Sequence, residues 1–384
     1  MYSPGAVEEY LYALNNALAS NNLNTVVVCT NDFILDKYYP INFTLKKFFF
    51  LGKSGESKIE KGIKYLYSFL RFLMLIIVFR PTILHIQWFK VIQFELIFFK
   101  ILKLFGVKII YTAHDVHPFE YNDRILHLYK KLYQTPDLII IHSEKSKQDI
   151  IRLLDVDEKK INTIRFGNYD FIADKFHFNE EESRKKIGLN NIDNVLLFFG
   201  SVRNYKGVEY LLAAFKRIKE NNIVDNLKLI FAGGGNWKFF SIDQVNLEYI
   251  KNNQDIIADI NYIYFYDKVP IYFSAADVLV LPYRNISMSA VLTLSYAYSK
   301  PVIATKVGGF PEYVQDGETG FLIEPENVDA LVHSIKKAFD DKEKLRDMGR
   351  KARLFAEKEM DWNTIALKTI ELYKTLKSTI KIGK

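Results

Sequence analysis

Short apolar runs alternate along the chain with segments in which apolar residues recur every three or four positions. The runs are rich in Val, Ile and Phe, as in TVVVCT, KIIYTAHD and NVLLFFGS. The spaced pattern is typical of amphipathic helices, such as one that places Leu11, Leu14 and Leu18 on a single face. Continuous apolar strands separated by helices predict parallel sheets covered on both faces, and therefore an α/β fold.

This alternation occurs twice, and a polar segment without periodicity, GNYDFIADKFHFNEEESRKKIG, separates the two series. A chain of 384 residues is also long enough for two domains of common size. We therefore predict two doubly wound domains, residues 1–172 and 173–362. A basic amphipathic helix at about 363–384 is expected to pack back on the first domain.

The N-terminal series lacks one expected element. A doubly wound sheet normally opens with a central strand, and a glycine loop follows that strand. Here the loop-like sequence SPGAVEE comes first. We predict a truncated or misassigned start, and an unusual N-terminal sheet is the alternative.

Composition indicates the redox state of the cysteine and the charge of the expected partners. The single cysteine, Cys29, excludes an internal disulfide framework, and its apolar surroundings favour a buried structural thiol. No signal peptide is predicted after Met1. The net charge of +7 favours anionic partners such as nucleotide phosphates or a membrane surface, while no nucleic-acid motif is present.

Two stretches, YLYSFLRFLMLIIVFRPTILHIQWF and VIQFELIFFKILKLF, are strongly apolar. Arg71 and Arg80 interrupt the first, and Glu95, Lys100 and Lys103 interrupt the second, so neither reaches the roughly 20 apolar residues of a transmembrane helix. Helices buried against a sheet are the simpler interpretation. Helices that also lie on a bilayer are the alternative, because basic charge beside bulky apolar side chains is typical of interfacial helices.

Candidate chemistry begins at FFGSVRNYKGVEYLLAAF, a strand, a turn with two cations and a helix. Ligands of open parallel sheets bind at the carboxyl ends of the strands. Arg203 and Lys206 follow such an end beside a helix N-terminus, where a guanidinium fork and an ammonium group both suit phosphate oxygens. Two solvated loop cations are the alternative, but Gly207 permits close backbone approach and favours a binding site.

Two further segments contribute to the same predicted site. LIFAGGG ends another strand with glycines that include Gly233 and Gly234, whose bare backbone can lie against a base or a phosphate. In SMSAVLTLSYAYS a helix is predicted to start at Ser289, Ala290 and Val291, with its N–H groups directed at the crevice. No acidic residue lies there to repel a phosphate, so these features together predict a diphosphate pocket.

These segments, together with AADVLVLPYR and SKPVIATKVGGFPEYVQDGETGFLIEPEN, resemble the donor-binding domain of glycosyltransferase family 4 over about residues 196–340. SPGAVEEYL resembles the family's glycine loop, YTAHDVHPFEYND its acceptor-side histidine loop, and RFGNYDF the end of its first domain. The resemblance implies the GT-B fold, in which two Rossmann-like, doubly wound parallel-sheet domains face each other across a cleft. It also implies retaining transfer of a sugar from a nucleotide diphosphate sugar.

The resemblance also implies residue roles. Arg203 and Lys206 match the pair that neutralises the leaving diphosphate, and His114 matches the histidine near the donor sugar; we predict these three as catalytic. The predicted donor-binding residues are Gly5, Gly207, Gly233, Gly234, Ser289, Ala290, Val291 and Glu312, and the predicted acceptor-side residues are Asp115, His117 and Glu120. No convincing Asp-x-Asp motif is present, so we expect neither a metal nor a cofactor.

One departure concerns a glutamate pair that the family often carries. The matching positions are Ile286 and Leu294, and neither can accept a hydrogen bond from a hydroxyl. Some members instead have a small-residue pair like Ser289–Ala290, so we predict a sub-group of this kind. Glu312 is the nearest remaining acidic candidate for the donor, and orienting the glycine turn is its alternative role.

Together these features predict a cytoplasmic hexosyltransferase at the inner face of the cell membrane. Its acceptor is expected to be a saccharide or lipid-linked saccharide in surface polysaccharide biosynthesis. The alternatives are a catalytically weak or inactive nucleotide-sugar-binding protein and a GT-B nucleotide-sugar epimerase. Nucleic acid is not an expected partner.

Overall fold

The computed structural model describes residues 6–50, 55–88, 92–116, 123–233, 243–260 and 268–382. The chain forms two compact units. Unit 1 comprises Met1–Arg165 and Asp361–Lys384, and unit 2 comprises Phe166–Met360. All strand pairs in both units are parallel, so the predicted α/β class is confirmed.

Within its described residues, unit 1 contains two separate parallel sheets. One pairs β1 with β2, and the other has the order β3-β4-β5-β6. The strands are β1 (Val26–Thr30), β2 (Thr44–Phe49), β3 (Ile83–Ile86), β4 (Lys108–Thr112), β5 (Leu138–Ile141) and β6 (Ile161–Thr163). β4 and β5 are buried along most of their length, as the continuous apolar runs KIIYT and LIII require.

The helices of unit 1 cover these sheets. They are α1 (Ala6–Ser20), α2 (Leu35–Tyr38), α3 (Lys58–Phe79), α4 (Ile92–Leu104), α5 (Asp123–Gln134), α6 (Glu144–Leu154) and the final helix α16 (Trp362–Ile382). α16 packs on α1, where the ring of Trp362 meets that of Tyr10 at a centroid distance of 5.0 Å. α3 starts at a capping box in which Ser57 and Glu60 satisfy each other's backbone N–H groups.

The described part of unit 2 contains one six-stranded parallel sheet with the order β12-β11-β10-β7-β8-β9. Its strands are β7 (Asn194–Phe199), β8 (Leu227–Ala232), β9 (Ile256–Asp259), β10 (Val278–Leu281), β11 (Val302–Thr305) and β12 (Gly320–Ile323). The first strand of the unit, β7, therefore lies in the middle between β8 and β10, as in doubly wound sheets.

The helices of unit 2 are α7 (Asp170–Lys175), α8 (Glu180–Lys186), α9 (Val208–Glu220), α10 (Gln244–Asn252), α11 (Val269–Ala275), α12 (Ala290–Ala297), α13 (Phe310–Tyr313), α14 (Val328–Phe339) and α15 (Lys342–Glu359). The boundary between the units comes seven residues before the predicted residue 172 (172 − 165). The reason is that α7 packs on α12 within unit 2. The chain likewise returns to unit 1 slightly before the predicted residue 362.

Candidate active site

In unit 2, a tight turn connects the end of β7 to α9. The turn is a 3₁₀ helix over Asn204–Lys206, and Gly207 ends it and starts α9 with a φ of +60°. A Cβ atom at Gly207 would lie 2.1 Å from the carbonyl oxygen of Pro282. Both the left-handed backbone and this close approach require glycine, so Gly207 fixes the turn against the chain that follows β10.

The two predicted cations lie at opposite ends of this turn. Arg203 precedes it and is exposed, and its carbonyl oxygen accepts the backbone N–H of Lys206 at 2.9 Å. Lys206 is only 6% exposed. Its Nζ lies 5.2 Å from the centroid of the Tyr283 ring and 2.7 Å from the point that a Cβ of Gly200 would occupy. The ammonium group of Lys206 is thus held directly beside the carboxyl end of β7.

The N-terminus of α12 reaches the same glycine. The Cγ2 atom of Val291 lies 3.8 Å from the Cβ position of Gly200. Ser289 precedes the helix but does not cap it with its side chain, and the first turn of α12 contains no acidic residue. Because the first N–H groups of a helix have no acceptor within the helix, this end presents donors and a partial positive charge beside the Lys206 ammonium.

Hydrogen bonds hold the loop from Pro282 to Ser289 on both sides. The N–H of Arg284 donates to the carbonyl oxygen of Tyr205 at 2.7 Å. The hydroxyl of Thr305 donates to the backbone carbonyl oxygen of Tyr283 at 2.6 Å. The N–H of Gly309 donates to the carbonyl oxygen of Ser287 at 3.1 Å. Burial raises the pKa of the Tyr283 phenol, and the neighbouring Ser289 hydroxyl opposes part of that rise. The start of α12 is therefore placed before any ligand arrives.

The structure also describes two other predicted donor residues of unit 2, Gly233 and Glu312. Gly233 follows β8, and a Cβ there would lie 1.9 Å from the carbonyl oxygen of Gly200, so the ends of β7 and β8 pack without space for a side chain. Glu312 is half-buried in α13, and its N–H donates to the carbonyl oxygen of Gly309 at 2.9 Å. Ile286 and Leu294 are both buried.

In unit 1, three neighbouring strands end in polar side chains that form one hydrogen-bonded chain. His85 and Gln87 come from the end of β3, His114 follows β4, and His142 follows β5. Gln87 lies 3.1 Å from both His85 and His114, and His114 Nδ1 lies 3.1 Å from His142 Nε2. The ring of Tyr10 packs edge-on against His114 at 4.7 Å.

Burial keeps these histidines neutral. It lowers the pKa of His85 to about 3 and that of His142 to about 4, where the Ile164 carbonyl opposes part of the shift. The pKa of His114 is also lowered well below its usual value, by burial first and then by His142 and His85. A neutral imidazole has one donor and one acceptor nitrogen, so the chain has a definite direction.

The direction follows from the carbonyl of Ile164, which can only accept. His142 therefore carries its proton on Nδ1, 2.9 Å from that oxygen, and its Nε2 accepts from His114 Nδ1. His114 Nε2 is then an acceptor, and it lies 3.1 Å from Gln87 Oε1. Because an amide oxygen cannot donate, this direction requires the Gln87 amide to be flipped, with its nitrogen towards the ring. Both ring nitrogens of His114 are thus engaged within unit 1, and a substrate hydroxyl at Nε2 would replace Gln87.

The structure places the other predicted residues as follows. Asp115 is half-buried, and its carbonyl oxygen accepts the hydroxyl of Tyr133 at 3.1 Å. Four predicted site residues, Gly5, His117, Glu120 and Gly234, lie outside the described residues. Within the described ranges, no group of three His, Cys, Asp or Glu side chains could hold a metal ion.

Sequence reasoning missed five residues that the structure brings into these sites: Gly200, Tyr283, His85, Gln87 and His142. The signal was present, because TILHIQW, KIIYTAHD and DLIIIHS each end an apolar run with polar residues. Carboxyl ends of adjacent parallel strands meet at one edge of a sheet, so these polar residues could have been grouped.

Two family models of glycosyltransferases match the chain, one in each unit. The profile of Glycosyltransferase Family 4 matches residues 7–167, and the profile of Glycosyl transferases group 1 matches residues 179–355. Among curated relatives, D-inositol 3-phosphate glycosyltransferase from Corynebacterium diphtheriae is 26% identical over 227 residues, 57% of this chain and 52% of that protein. The lipopolysaccharide 1,2-N-acetylglucosaminetransferase of Salmonella typhimurium is 27% identical over 213 residues, 53% of this chain and 54% of that protein. The chain thus spans little more than half the length of these relatives.

Solved structures resemble the whole chain. Sucrose-phosphate synthase from Thermosynechococcus elongatus superimposes with a TM-score of 0.75 at 20% identity, over 98% of this chain and 94% of that one. Anabaena Alr3699/HepE in complex with UDP-glucose gives a TM-score of 0.75 at 16% identity, over 97% of both chains. At these identities the similarity shows the fold, and the predicted GT-B fold is confirmed.

Proposed function

Because the chain belongs to the family 4 and group 1 glycosyltransferases, we propose that it transfers a hexosyl group from a nucleotide diphosphate sugar to a saccharide or lipid-linked saccharide. Unit 2 binds the donor and unit 1 binds the acceptor. The observation that carries the proposal is the meeting of the buried Lys206 ammonium and the uncapped start of α12 at Gly200. Both suit the two phosphates of a donor.

In the proposed reaction, the bond from the anomeric carbon to the diphosphate breaks, and a bond to an acceptor oxygen forms on the same face of the sugar. Negative charge develops on the leaving diphosphate. Lys206, Arg203 and the N–H groups of Ser289, Ala290 and Val291 stabilise that charge from fixed positions. The leaving phosphate oxygen takes the proton of the acceptor hydroxyl, so neither a separate general base nor a metal is required.

Recognition of the donor sugar and ribose differs from the pattern with two glutamates. Ile286 and Leu294 stand at the matching positions and are both buried, so they contribute to the core of unit 2. We place the protein in a sub-group in which the region around Ser289 and Ala290 serves the donor instead. Glu312, beside the glycine turn of Val307–Gly309, is the acidic residue available in this region.

A second candidate function is nucleotide-sugar binding without turnover. Two observations favour it. Both ring nitrogens of His114 already have partners inside unit 1, and the positions of the glutamate pair are apolar and buried. The epimerase alternative requires further acid and base groups at the sugar, and Glu312 is the one acidic residue that we assign to the donor.

We further propose that unit 1 rests on the cytoplasmic face of an anionic membrane. The expectation that Arg71 and Arg80 leave the first apolar stretch too short was wrong by length and composition, because Arg80 lies beyond the end of α3. Within the described residues, α3 is the one helix long and apolar enough to cross a bilayer, and only 17% of its most apolar 18-residue window is buried. Six of its exposed apolar residues follow one helical stripe, and three more are exposed beside it or at the end of the helix. The stripe consists of Ile59, Ile63, Leu66, Leu70, Met74 and Ile77, and the other three are Tyr67, Val78 and Phe79. Such a stripe suits the interface between acyl chains and headgroups.

Packing and charge support a helix that lies on the membrane. The opposite side of α3 is held on the protein, because Tyr65 and Ile76 are buried and the ring of Phe69 meets that of Phe98 in α4 at 4.5 Å. α3 carries Lys58, Lys61, Lys64 and Arg71 against Glu60, so its polar residues attract anionic headgroups. A membrane surface would also present lipid-linked acceptors to unit 1.

The transfer reaction is tested by a donor screen. The protein is incubated with UDP-, GDP-, ADP- and dTDP-sugars, with and without EDTA, and nucleoside diphosphate release and Tm are measured. UDP-glucose is the first donor to test, since Alr3699/HepE was solved with it. We expect one donor to raise Tm and to be consumed in the presence of EDTA.

The matched variants are Arg203→Ala/Lys206→Met and a control, Arg217→Ala/Lys336→Met, which removes two exposed cations from unit 2. The first should abolish donor binding and turnover, and the control should retain both. Donor binding without consumption, even with saccharide and lipid acceptors, would favour the binding protein. Equal loss in both pairs would reject the diphosphate site.

Membrane binding is tested by sedimentation with vesicles of phosphatidylglycerol and phosphatidylcholine, or of phosphatidylcholine alone. Leu70→Glu/Met74→Glu changes the α3 stripe, and Ile192→Glu/Val245→Glu changes two residues of unit 2 that are at least as exposed. We expect the first pair alone to lose binding to anionic vesicles. Unchanged sedimentation of the α3 variant would reject the membrane proposal.

A further inference from the structure

The sheets of unit 1 are interrupted at one definable position. In a doubly wound sheet of order 3-2-1-4-5-6, the first strand lies between the second and the fourth. If β1 and β2 are counted as the second and third strands, and β3 to β6 as the fourth to seventh, the order agrees at every described strand. The place of the first strand then falls between β1 and β3.

Unit 2 provides an internal reference for this count. Its order, written from the other edge, is β9-β8-β7-β10-β11-β12, and its first strand β7 pairs with β8 and β10. In unit 1, β1 corresponds to β8 and β3 corresponds to β10. Among the described residues of unit 1, β1 is paired with β2 only and β3 with β4 only.

A cavity of about 630 Å³ lies between these two strands. Two of its walls are residues 24–29 around β1 and residues 82–88 around β3, and we call it the strand slot. One strand residue takes up about 160 Å³, from a strand spacing of about 4.8 Å, a layer of about 10 Å and a rise of about 3.3 Å. The strand slot therefore has room for about four residues of an extended chain.

The burial of β3 shows the same gap. All four residues of β3, Ile83–Ile86, are only half-buried, although this strand is not at the outer edge expected for the sheet. All four residues of the corresponding strand β10, Val278–Leu281, are fully buried. Buried parallel strands require neighbours for their backbone N–H and C=O groups, so the inner edges of β1 and β3 are suited to pairing.

Most of the remaining wall residues are apolar, although Glu95 of α4 and Lys374 and Lys377 of α16 also line the strand slot. Leu11, Leu14 and Leu18 of α1 line the strand slot, as do Phe72 of α3 and Phe98 of α4. Apolar walls of this kind suit a strand with Val, Ile or Leu at successive positions, as in the central strands of parallel sheets.

The position of α1 defines the direction of the occupant. Tyr10, near the start of α1, packs on His114 at the carboxyl end of β4. α1 thus starts at the edge where a parallel strand would end, and it leads to β1. A strand in the slot followed by α1 and β1 forms the standard right-handed crossover.

From these features we propose that the strand slot receives a parallel strand of about four to six apolar residues from polypeptide that precedes Met1. This strand joins the two sheets of unit 1 into one and leads into α1. It also fixes the start of α1, and with it Tyr10, against the histidine chain of His85, His114 and His142.

The test compares the 384-residue chain with a variant that carries a Val- and Ile-rich extension of about six residues before Met1. A second extension has the same length with two of its residues replaced by Pro, which cannot donate hydrogen bonds within a central strand. Tm and amide hydrogen exchange in residues 24–30 and 82–88 are measured. The apolar extension should raise Tm by about 10 °C and slow exchange in both segments about tenfold or more, and the Pro version should do neither.

A third variant keeps the proposal testable if an extension perturbs the fold in another way. Leu14→Trp fills part of the strand slot, so the apolar extension should lose its effect on exchange in this background. Equal effects of the two extensions, or unchanged exchange in both segments, would overturn the proposal. Tight binding of a fluorescent fatty acid that the apolar extension does not displace would also overturn it, because the cavity would then be a lipid site.

Discussion

Unit 1 and unit 2 follow the same strand order, but they differ at its centre. In unit 2, β7 occupies the middle of the sheet, and Gly200, the turn of Asn204–Lys206 and α9 continue from it. In unit 1, the corresponding position is the strand slot, and the described chain starts with α1. The comparison indicates that the first strand organises the site at the carboxyl edge, because it delivers the loop that binds the ligand.

The consequences differ between the units. Close backbone contacts at Gly207 and Gly233 fix the predicted phosphate site of unit 2. In unit 1, a chain of side-chain hydrogen bonds through His85, His114 and His142 holds the carboxyl edge. The first arrangement depends on the absence of Cβ atoms, and the second depends on neutral imidazoles. Substitutions and pH should therefore affect the two units differently.

The largest expected effect is on the stability of unit 2 in Gly207→Ala. The left-handed backbone costs about 1–2 kcal/mol, and the approach to the Pro282 carbonyl adds about 1–3 kcal/mol. Gly188→Ala is the matched control, because Gly188 has a φ of +76° and nothing within 4 Å of its Cβ position. Denaturant unfolding should show a clearly larger loss for Gly207→Ala; equal losses would show that the close approach is unimportant.

The next effect is on catalysis. Gly200→Ala places a methyl group where the Lys206 ammonium now lies, so the flexible end of that side chain must move. Displacement of a catalytic group by about 1 Å can cost about 100-fold in turnover. Gly317→Ala has a similar positive φ without close neighbours and should lose stability to a similar degree while keeping its activity. Retained turnover in Gly200→Ala would contradict the role of Lys206.

Acid should weaken unit 1 through its buried histidines. The folded-state pKa of His142 is lowered to about 4, below the unfolded-state value of about 6.5. The stability that its neutral form gives the folded state is therefore fully present above about pH 6.5 and is lost as the pH falls towards 4. Through His142 alone, the free energy of unfolding should be about 2 kcal/mol lower at pH 5 than at neutral pH. In unfolding curves between pH 7 and 5, His142→Gln should reduce this loss, and His333→Gln, at an exposed position of unit 2, should not. An unchanged slope in His142→Gln would disprove the neutral chain.

The smallest effect concerns membrane attachment by unit 1. Lys100, exposed on α4, should contribute about 1 kcal/mol to binding at an anionic surface, or about fivefold. Lys100→Gln should therefore bind phosphatidylglycerol vesicles about fivefold more weakly, and Lys344→Gln, an exposed position of unit 2, should bind like wild type. Similar losses in both variants would mean that net charge, and not this face of unit 1, controls binding.

Much of unit 2 follows from the sequence, because its strands are continuous apolar runs that end in glycines. The start of α12 after Ser289 is confirmed. β9 was missed because IIAD is a short run within polar sequence. β2 was missed because Lys46 and Lys47 interrupt TLKKFF.

In unit 1, the sequence did not predict features that depend on which strands and helices pack together. His85, His114 and His142 lie far apart in the chain, and only the order β3-β4-β5 brings them together. The apolar stripe of α3 was also ambiguous, because apolar residues around a whole helix do not reveal which side is covered. The structure leaves that stripe exposed while it buries Tyr65 and Ile76.

The most direct test of the central claim, that unit 2 holds the donor diphosphate at Gly200, is amide hydrogen exchange with and without saturating UDP, or the nucleoside diphosphate that the donor screen selects. We expect slower exchange in residues 200–208 and 289–292, and no slowing in these segments for Lys206→Met. Protection elsewhere in unit 2, with these two segments unchanged, would contradict the site.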